Sequence, residues 1–199
     1  PYYTVLFVNM SVWFQNNFFN VMLMLFLSLI SIWIFTLTDT GRLLKDRILL
    51  NVPIFGSIIK QNILSKFSKT FGILISSGVS VMDAMELVIR VVNNRVYEIA
   101  VKNATKNIEN GVSISESLKI TGVFPPIMIQ LFSTGEETGE IDNLSLKASD
   151  FYTKQVNASV DRLTSLIEPL LIILVGIVIG GVIIVTYLPI FQVGAAIAN

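Results

Sequence analysis

The sequence predicts an all-α protein, a six-helix cytoplasmic bundle between two transmembrane helices. Three observations carry this. The 199 residues are 53% hydrophobic and only 14% charged, with a mean hydropathy of +0.71, more apolar than a soluble domain of this length requires. Two runs are long and uncharged enough to cross a bilayer. Between them, apolar residues recur at helical spacing with almost no strand-like alternation.

The first run is Phe18 to Leu37, "FFNVMLMLFLSLISIWIFTL", which as a helix reaches roughly 30 Å and crosses a hydrocarbon core. Trp33 near its end fits an interfacial anchor, and residues 1–17 ahead of it read as a periplasmic or interfacial segment. The second is Pro169 to Leu188, "PLLIILVGIVIGGVIIVTYL". With its approach it forms a span over 166–188, ended by Pro189 and followed by a periplasmic tail, 189–199. All fourteen Lys and Arg lie from Arg42 to Arg162. Arg42, Lys45 and Arg47 follow the first span closely and Arg162 shortly precedes the second, so the positive-inside rule puts the intervening segment in the cytoplasm and both ends outside.

Residues 38–61, "TDTGRLLKDRILLNVPIFGSIIK" from Thr38 to Lys60, form an amphipathic connector broken by Pro53 and Gly56. A cytoplasmic six-helix domain then fills 62–165. Its first helix, about 62 to 77, carries Phe67, Phe71, Leu74 and Ile75 on one face, and Gly78 stops it. Ser80 caps the next helix, with Asp83 three residues on and Met82, Met85 and Ile89 as its apolar positions. Asn93 and Asn94 interrupt the chain before a helix from Arg95 to Glu109, which ends at Asn110 and Gly111. "SISE", Ser113 to Glu116, is a capping box for a short helix that stops near Gly122. Pro125 and Pro126 are preset for the first turn of another, with Gly135 expected at its end. From Ile141 a long helix presents Leu144, Phe151, Val160 and Leu163. It meets no breaker before Glu168 and Pro169, so it is expected to run straight into the membrane. Inside that span, Gly176 and Gly180, with Gly181 beside them, make a small-xxx-small pair that admits another helix.

Composition removes most catalytic classes. The chain has no cysteine and no histidine, so thiolate chemistry, disulfides and the usual general base are excluded. Fourteen acids balance fourteen bases, which gives no footprint for nucleic acid. No Gly-rich loop with Lys and Ser or Thr follows a strand, so any ATP energy must come from another subunit. The reading is therefore a non-enzyme without cofactor. The acidic stretch "STGEETGEID", Ser133 to Asp142, offers Glu136, Glu137, Glu140 and Asp142 as hard oxygen donors for calcium or magnesium. Its spacing does not match the EF-hand loop. The simpler reading is a helix stop at Gly135, a turn at Gly139 and acids near the start of the long helix, with Glu136 fixing that corner or docking a basic partner.

The segments "FSKTFGILISSGVSVMDAMELV" (67–88), "IENGVSISESL" (108–118), "FPPIMIQLFSTGEETGEIDNLSLKASDFY" (124–152) and "IEPLLIILVGIVIGGVIIVTYLPIF" (167–191) together resemble the inner-membrane platform proteins of type IV pilus and type II secretion machines, the secretion F family. The resemblance implies a multi-pass protein of the bacterial inner membrane with two homologous six-helix cytoplasmic domains, of which this chain is the C-terminal half. It implies a homo-oligomeric platform gripped by a hexameric assembly ATPase, feeding pilins or pseudopilins into a filament alongside inner-membrane alignment proteins, in contact with membrane lipid. Carried over by position, the family's glycine-glutamate turn falls on Gly135, Glu136 and Gly139, its helix stop on Ser77 and Gly78, and its span-entry pair on Glu168 and Pro169. The rival is a membrane subunit of an ATPase-coupled transporter. That reading calls for more spans and for broken or polar midplane helices, whereas Ser28 and Ser31 are the main polar residues inside the spans here.

Overall fold

A computed structural model describes residues 2–197; Pro1 and the last two residues of the expected tail lie outside it. The described residues form eight helices and no strand: α1 (Tyr2–Leu37), α2 (Asp39–Asn51), α3 (Phe55–Ser76), α4 (Val81–Val91), α5 (Arg95–Glu109), α6 (Ile114–Ile120), α7 (Pro126–Thr138) and α8 (Ile141–Ile197). Helices α3 to α7 and the first turns of α8 make the bundle. Helix α3 packs most extensively on α8, α7 also lies on α8, and α2 touches both α3 and α5.

Local chemistry explains most of the boundaries. Ser80 Oγ accepts the Asp83 N–H at 3.2 Å, and Asn94 Oδ1 accepts from Val96 and Tyr97, so each cap satisfies donors that the first helical turn leaves open. Ser113 Oγ accepts the Glu116 N–H at 3.3 Å, but the expected capping box is only half built, because the Glu116 carboxylate takes the Lys119 ammonium at 2.9 Å instead. Gly78, Gly111, Gly122 and Gly139 all have positive φ, where a Cβ would be strained.

Four boundaries differ from the sequence expectation. The first helix is 36 residues long, so α1 begins at Tyr2, well ahead of the apolar run read from Phe18. Helix α3 begins at Phe55, not near 62, because the break is confined to Val52, Pro53 and Ile54, where the chain bends by 110°. Gly56 lies inside α3 and does not break it: a Cβ there would fall 2.3 Å from the Leu50 carbonyl oxygen, so the tight corner demands its absence. Helix α7 runs through Gly135 to Thr138, and its stop is Gly139, in the left-handed region at φ 75°. Helix α8 passes Pro169 and Pro189 and continues to Ile197.

The core is aromatic at its centre. Phe67, Phe71 and Phe132 are fully buried, with Phe124 and Tyr97 nearly so, and Phe67 touches three other rings at centroid separations of 5.2 to 6.1 Å. Met85, Val88, Val101, Leu118 and Met128 close around them. Burial of such side chains contributes about 1.5–3 kcal/mol each. Among the predicted apolar positions of α8, Phe151 and Val160 are exposed and Leu144 and Leu163 half-buried, whereas Ser145, Ala148, Ser149 and Tyr152 are buried. The reason is the close crossing with α3. A Cβ on Gly72 would stand 3.0 Å from the Asp142 carbonyl oxygen and 3.0 Å from Leu146 Cγ, and Ser65 Oγ lies 2.8 Å from Thr153 Oγ1. Two backbones this near favour small side chains, and Tyr152 is the one large residue among those four buried positions, so size as well as apolarity decides this face.

Helix α1 over Asn17–Leu37 and the apolar part of α8 are long and apolar enough to cross a membrane, and neither apolar window is buried within the chain. About twenty apolar residues in a helix match the thickness of a bilayer's hydrocarbon core.

Candidate functional site

The acidic stretch folds around α7. Adjacent residues of that helix hold its two neighbours. Gly135 is buried against the start of α8, where a Cβ would come 2.8 Å from the Ile141 Cα. Glu136, the next residue round the helix, turns to α6. Its carboxylate accepts from the Ile114 N–H, from the Ser115 N–H at 2.9 Å, and from the Ser115 hydroxyl. The carboxylate satisfies two N–H groups of the first turn of α6 that a local capping box would have left open, with the stronger bond that a charged acceptor makes to backbone N–H. Glu136 is half-buried. It is therefore engaged within the chain rather than presented as a free docking acid.

The other acids of the stretch are not gathered with it. Glu137 is exposed and accepts from Ser133 Oγ at 3.1 Å, one turn back on the same helix. Glu140 is exposed and Asp142 half-buried in the first turn of α8. Among the described residues no three acidic, histidine or cysteine side chains are grouped as a metal would need, so Glu136, Glu137, Glu140 and Asp142 are placed apart rather than as one ligand set.

A second carboxylate does similar work at the other end of the bundle. Asp46 of α2 is buried and accepts the Arg95 N–H at 2.7 Å, so α5 begins on two caps, Asn94 from its own chain segment and Asp46 from the helix that follows α1. Arg95 then reaches Glu98 at 2.6 Å and Asp39 at 3.3 Å. Hydrogen bonding to Glu98 raises the Arg95 pKa. Burial pushes the Glu98 carboxyl up, and the Arg95 and Lys102 bonds outweigh it and hold the pKa below the usual range. Tyr97 behind them gives its hydroxyl to the Val123 carbonyl at 3.2 Å, and burial pushes its pKa up to about 12. The Asp39–Asp46–Arg95 contacts fasten the end of α1 to the bundle. Asp46→Ala should destabilise the bundle by about 1–2 kcal/mol, as loss of an N-cap does. Chemical denaturation followed by circular dichroism would check this, and a change within 0.3 kcal/mol of zero would refute it (about the scatter of such comparisons).

The remaining expected residues sit as follows. Ser77 is the C-cap residue of α3 and donates its hydroxyl to the Ile73 carbonyl at 2.7 Å, with Gly78 just beyond. Gly111 follows α5, and Pro125 is the N-cap residue of α7. Glu168 and Pro169 are both exposed in mid-α8, and Pro169 has no N–H to return to the Ser165 carbonyl. Among the described residues, and apart from the helix's own adjoining backbone, nothing lies within 4 Å of a Cβ built on Gly176 or Gly180. Pro189 lies in the last part of α8. Sequence reasoning missed Asp46 and Gly72. Both act across helices far apart in the chain, and neither belongs to a local pattern that would have flagged it.

Comparison with known proteins places this geometry. The chain matches the family model described as type II secretion system (T2SS), protein F, over residues 67–189. It is 38% identical over 157 residues to a type IV pilus assembly protein PilC of Myxococcus xanthus, covering 79% of this chain and 38% of the relative. A type IV pilus assembly protein PilC of Pseudomonas aeruginosa is 35% identical over 75% of this chain and 40% of its own length. A type II secretion system protein F of the same organism is 30% identical over 72% of this chain and 36% of its own. The chain thus spans about two fifths of the length of these curated relatives.

Proposed function

The chain belongs to the type II secretion system protein F family, and from that premise we propose that it serves as a non-enzymatic inner-membrane platform for type IV pilus or type II secretion pseudopilus assembly. In this reading the bundle, α3 to α7 with the first turns of α8, lies in the cytoplasm and receives motion from an assembly ATPase. The two spans then carry that motion to pilins or pseudopilins in the membrane. Alignment proteins and further copies of the platform surround it, and Gly176 and Gly180 leave room for a neighbouring helix.

The observation that carries the proposal is the continuity of α8. Its 57 residues run from the α7 corner through Glu168 and Pro169 into the apolar run without a loop, a rod of roughly 85 Å at 1.5 Å per residue. A displacement of the corner is transmitted along such a rod, whereas a flexible linker would absorb it. The base of the rod is held on one side by α3 through Gly72 and on the other by α7 through Gly135.

A short Gly-Ser insertion after Arg162, in the parent gene of the source strain, should leave the bundle's unfolding midpoint unchanged and abolish surface filaments or secretion. Wild-type filament numbers from that strain would overturn transmission through α8. Failure of the purified parent protein to retain its cognate ATPase on a column would overturn the coupling.

A further inference from the structure

Helix α2 carries two faces with different tasks. At about 100° per residue, Asp39, Leu43, Asp46 and Leu50 point one way. Asp46 and Leu50 are buried, and this side rests on α3 and α5. Gly41, Leu44, Lys45, Ile48 and Leu49 point the other way, toward the end of α1, and with Phe35 and Thr36 they line an apolar groove of about 280 Å³. Leu44 is 48% exposed, Ile48 57% and Leu49 40%, an apolar stripe left open among the described residues. Arg47 borders the stripe on one side and Arg42 on the other, both exposed.

We propose that α2 is an interfacial helix, seated at the boundary of headgroups and acyl chains of the leaflet where α1 ends, with a phospholipid acyl chain occupying the groove between α1 and α2. The proposal rests on the reading of α1 as a membrane span. Three features select lipid over a protein occupant. The groove is continuous with the exposed apolar surface of α1, and it opens at the corner where Gly41 lets α2 start within contact of the Phe35 carbonyl. The cations stand at both edges of the stripe, where long side chains run along apolar surface and lift their charge to the phosphates. Lys45 sits within the stripe and has the stem length to do the same. Basic residues this close to a span also favour anionic lipid. Helix α2 thereby becomes the joint that rides on the membrane while Asp46 clamps its other face to α5.

The chain has no cysteine, so single spin labels can be placed without background. Leu25→Cys, Leu44→Cys, Ile48→Cys and Glu109→Cys would each be labelled in the full chain. The chains would be reconstituted into vesicles of phosphatidylethanolamine and phosphatidylglycerol, or of phosphatidylcholine alone. Collisions with oxygen should exceed those with a water-soluble nickel chelate several-fold at positions 25, 44 and 48, and the order should reverse at 109. In the anionic vesicles the label at 48 should sit deeper than in the neutral ones, and Arg42→Gln with Arg47→Gln should abolish that difference. Labels at 44 and 48 that behave like 109 while 25 remains in lipid would overturn the proposal alone. Labels shielded from both reagents would overturn it in favour of a protein cover. A water-exposed label at 25 would overturn the membrane reading of α1, and the proposal with it.

Discussion

Replacing Gly135 with valine is expected to unseat α8 and to cost more than ~3 kcal/mol, a large share of the ~5–15 kcal/mol that holds a domain of this size together. Two effects oppose each other at this position. A helical glycine exchanged for alanine normally gains about 1 kcal/mol, because the unfolded chain loses freedom and the helix gains propensity. At Gly135 the added Cβ would lie 2.8 Å from the Ile141 Cα. That neighbour is backbone, which cannot rotate away, so the first turn of α8 must shift, and overpacking of this kind costs ~1–3 kcal/mol for the Cβ alone. Valine adds two methyls and a β-branch. Gly176 is the matched control, since among the described residues nothing beyond the helix's own adjoining backbone stands within 4 Å of its Cβ position. Denaturation midpoints of the detergent-solubilised chain should therefore fall steeply for Gly135→Val, fall moderately for Gly135→Ala, and hold or rise for Gly176→Ala. If Gly135→Ala were as benign as Gly176→Ala, α7 and α8 could not approach as described. If the proposed platform role holds, the same variant should also lose filament assembly or secretion even where residual folded protein remains.

The positions of the helices were legible because their ends are written locally. A serine three residues ahead of the donor it caps, or a glycine where the chain must turn left-handed, needs no knowledge of the rest of the fold, and Ser80, Ser113, Gly78 and Gly111 were all readable for that reason. The two membrane-length runs were legible because a bilayer imposes a length and a polarity on any segment that crosses it. What escaped was set by contacts between distant segments. Gly135 and Gly139 stand four residues apart and both can end a helix in principle. Only the approach of Ile141 shows that Gly135 is there for want of space, whereas the φ of 75° makes Gly139 the turn. The buried face of α8 escaped for the same reason. Phe151 and Val160 carry the hydrophobic signal and are exposed, while the small Ser145, Ala148 and Ser149 are buried together with Tyr152 on the side that α3 approaches. Glu136 was singled out as a residue of the corner, yet its partners at Ile114 and Ser115 lie some twenty residues upstream, in a motif whose own glutamate had seemed sufficient.

That division of labour between two neighbouring glutamates gives the last prediction. Glu136→Ala removes the acceptor of two backbone N–H groups and one hydroxyl. Hydrogen bonds to a charged group contribute about 1.5–3 kcal/mol, and a donor left unmatched adds its own penalty, so a loss of ~2–4 kcal/mol is expected. Glu136→Gln keeps one oxygen but turns an amide N–H toward a donor, so it should recover only part of that. Glu137→Gln touches an exposed side chain whose bond is to Ser133 on its own helix, and should stay within about 0.5 kcal/mol of the parent, as such surface changes do. Hydrogen exchange separates a specific cap from a general weakening. Under native conditions Ile114 and Ser115 should lose protection in Glu136→Ala well before the core amides of α3 do, because opening of α6 is local. A double-mutant cycle with Ser115→Ala supplies the second reading, with a coupling of at least ~0.5 kcal/mol expected between residues in contact. Equal effects of Glu136→Ala and Glu137→Ala on stability would show that the carboxylate does not seat α6. With the cap in place, α7 is fixed to α6 on one side and, through Gly135, to α8 on the other. The acidic stretch therefore acts as a fastening between the bundle and the membrane rod.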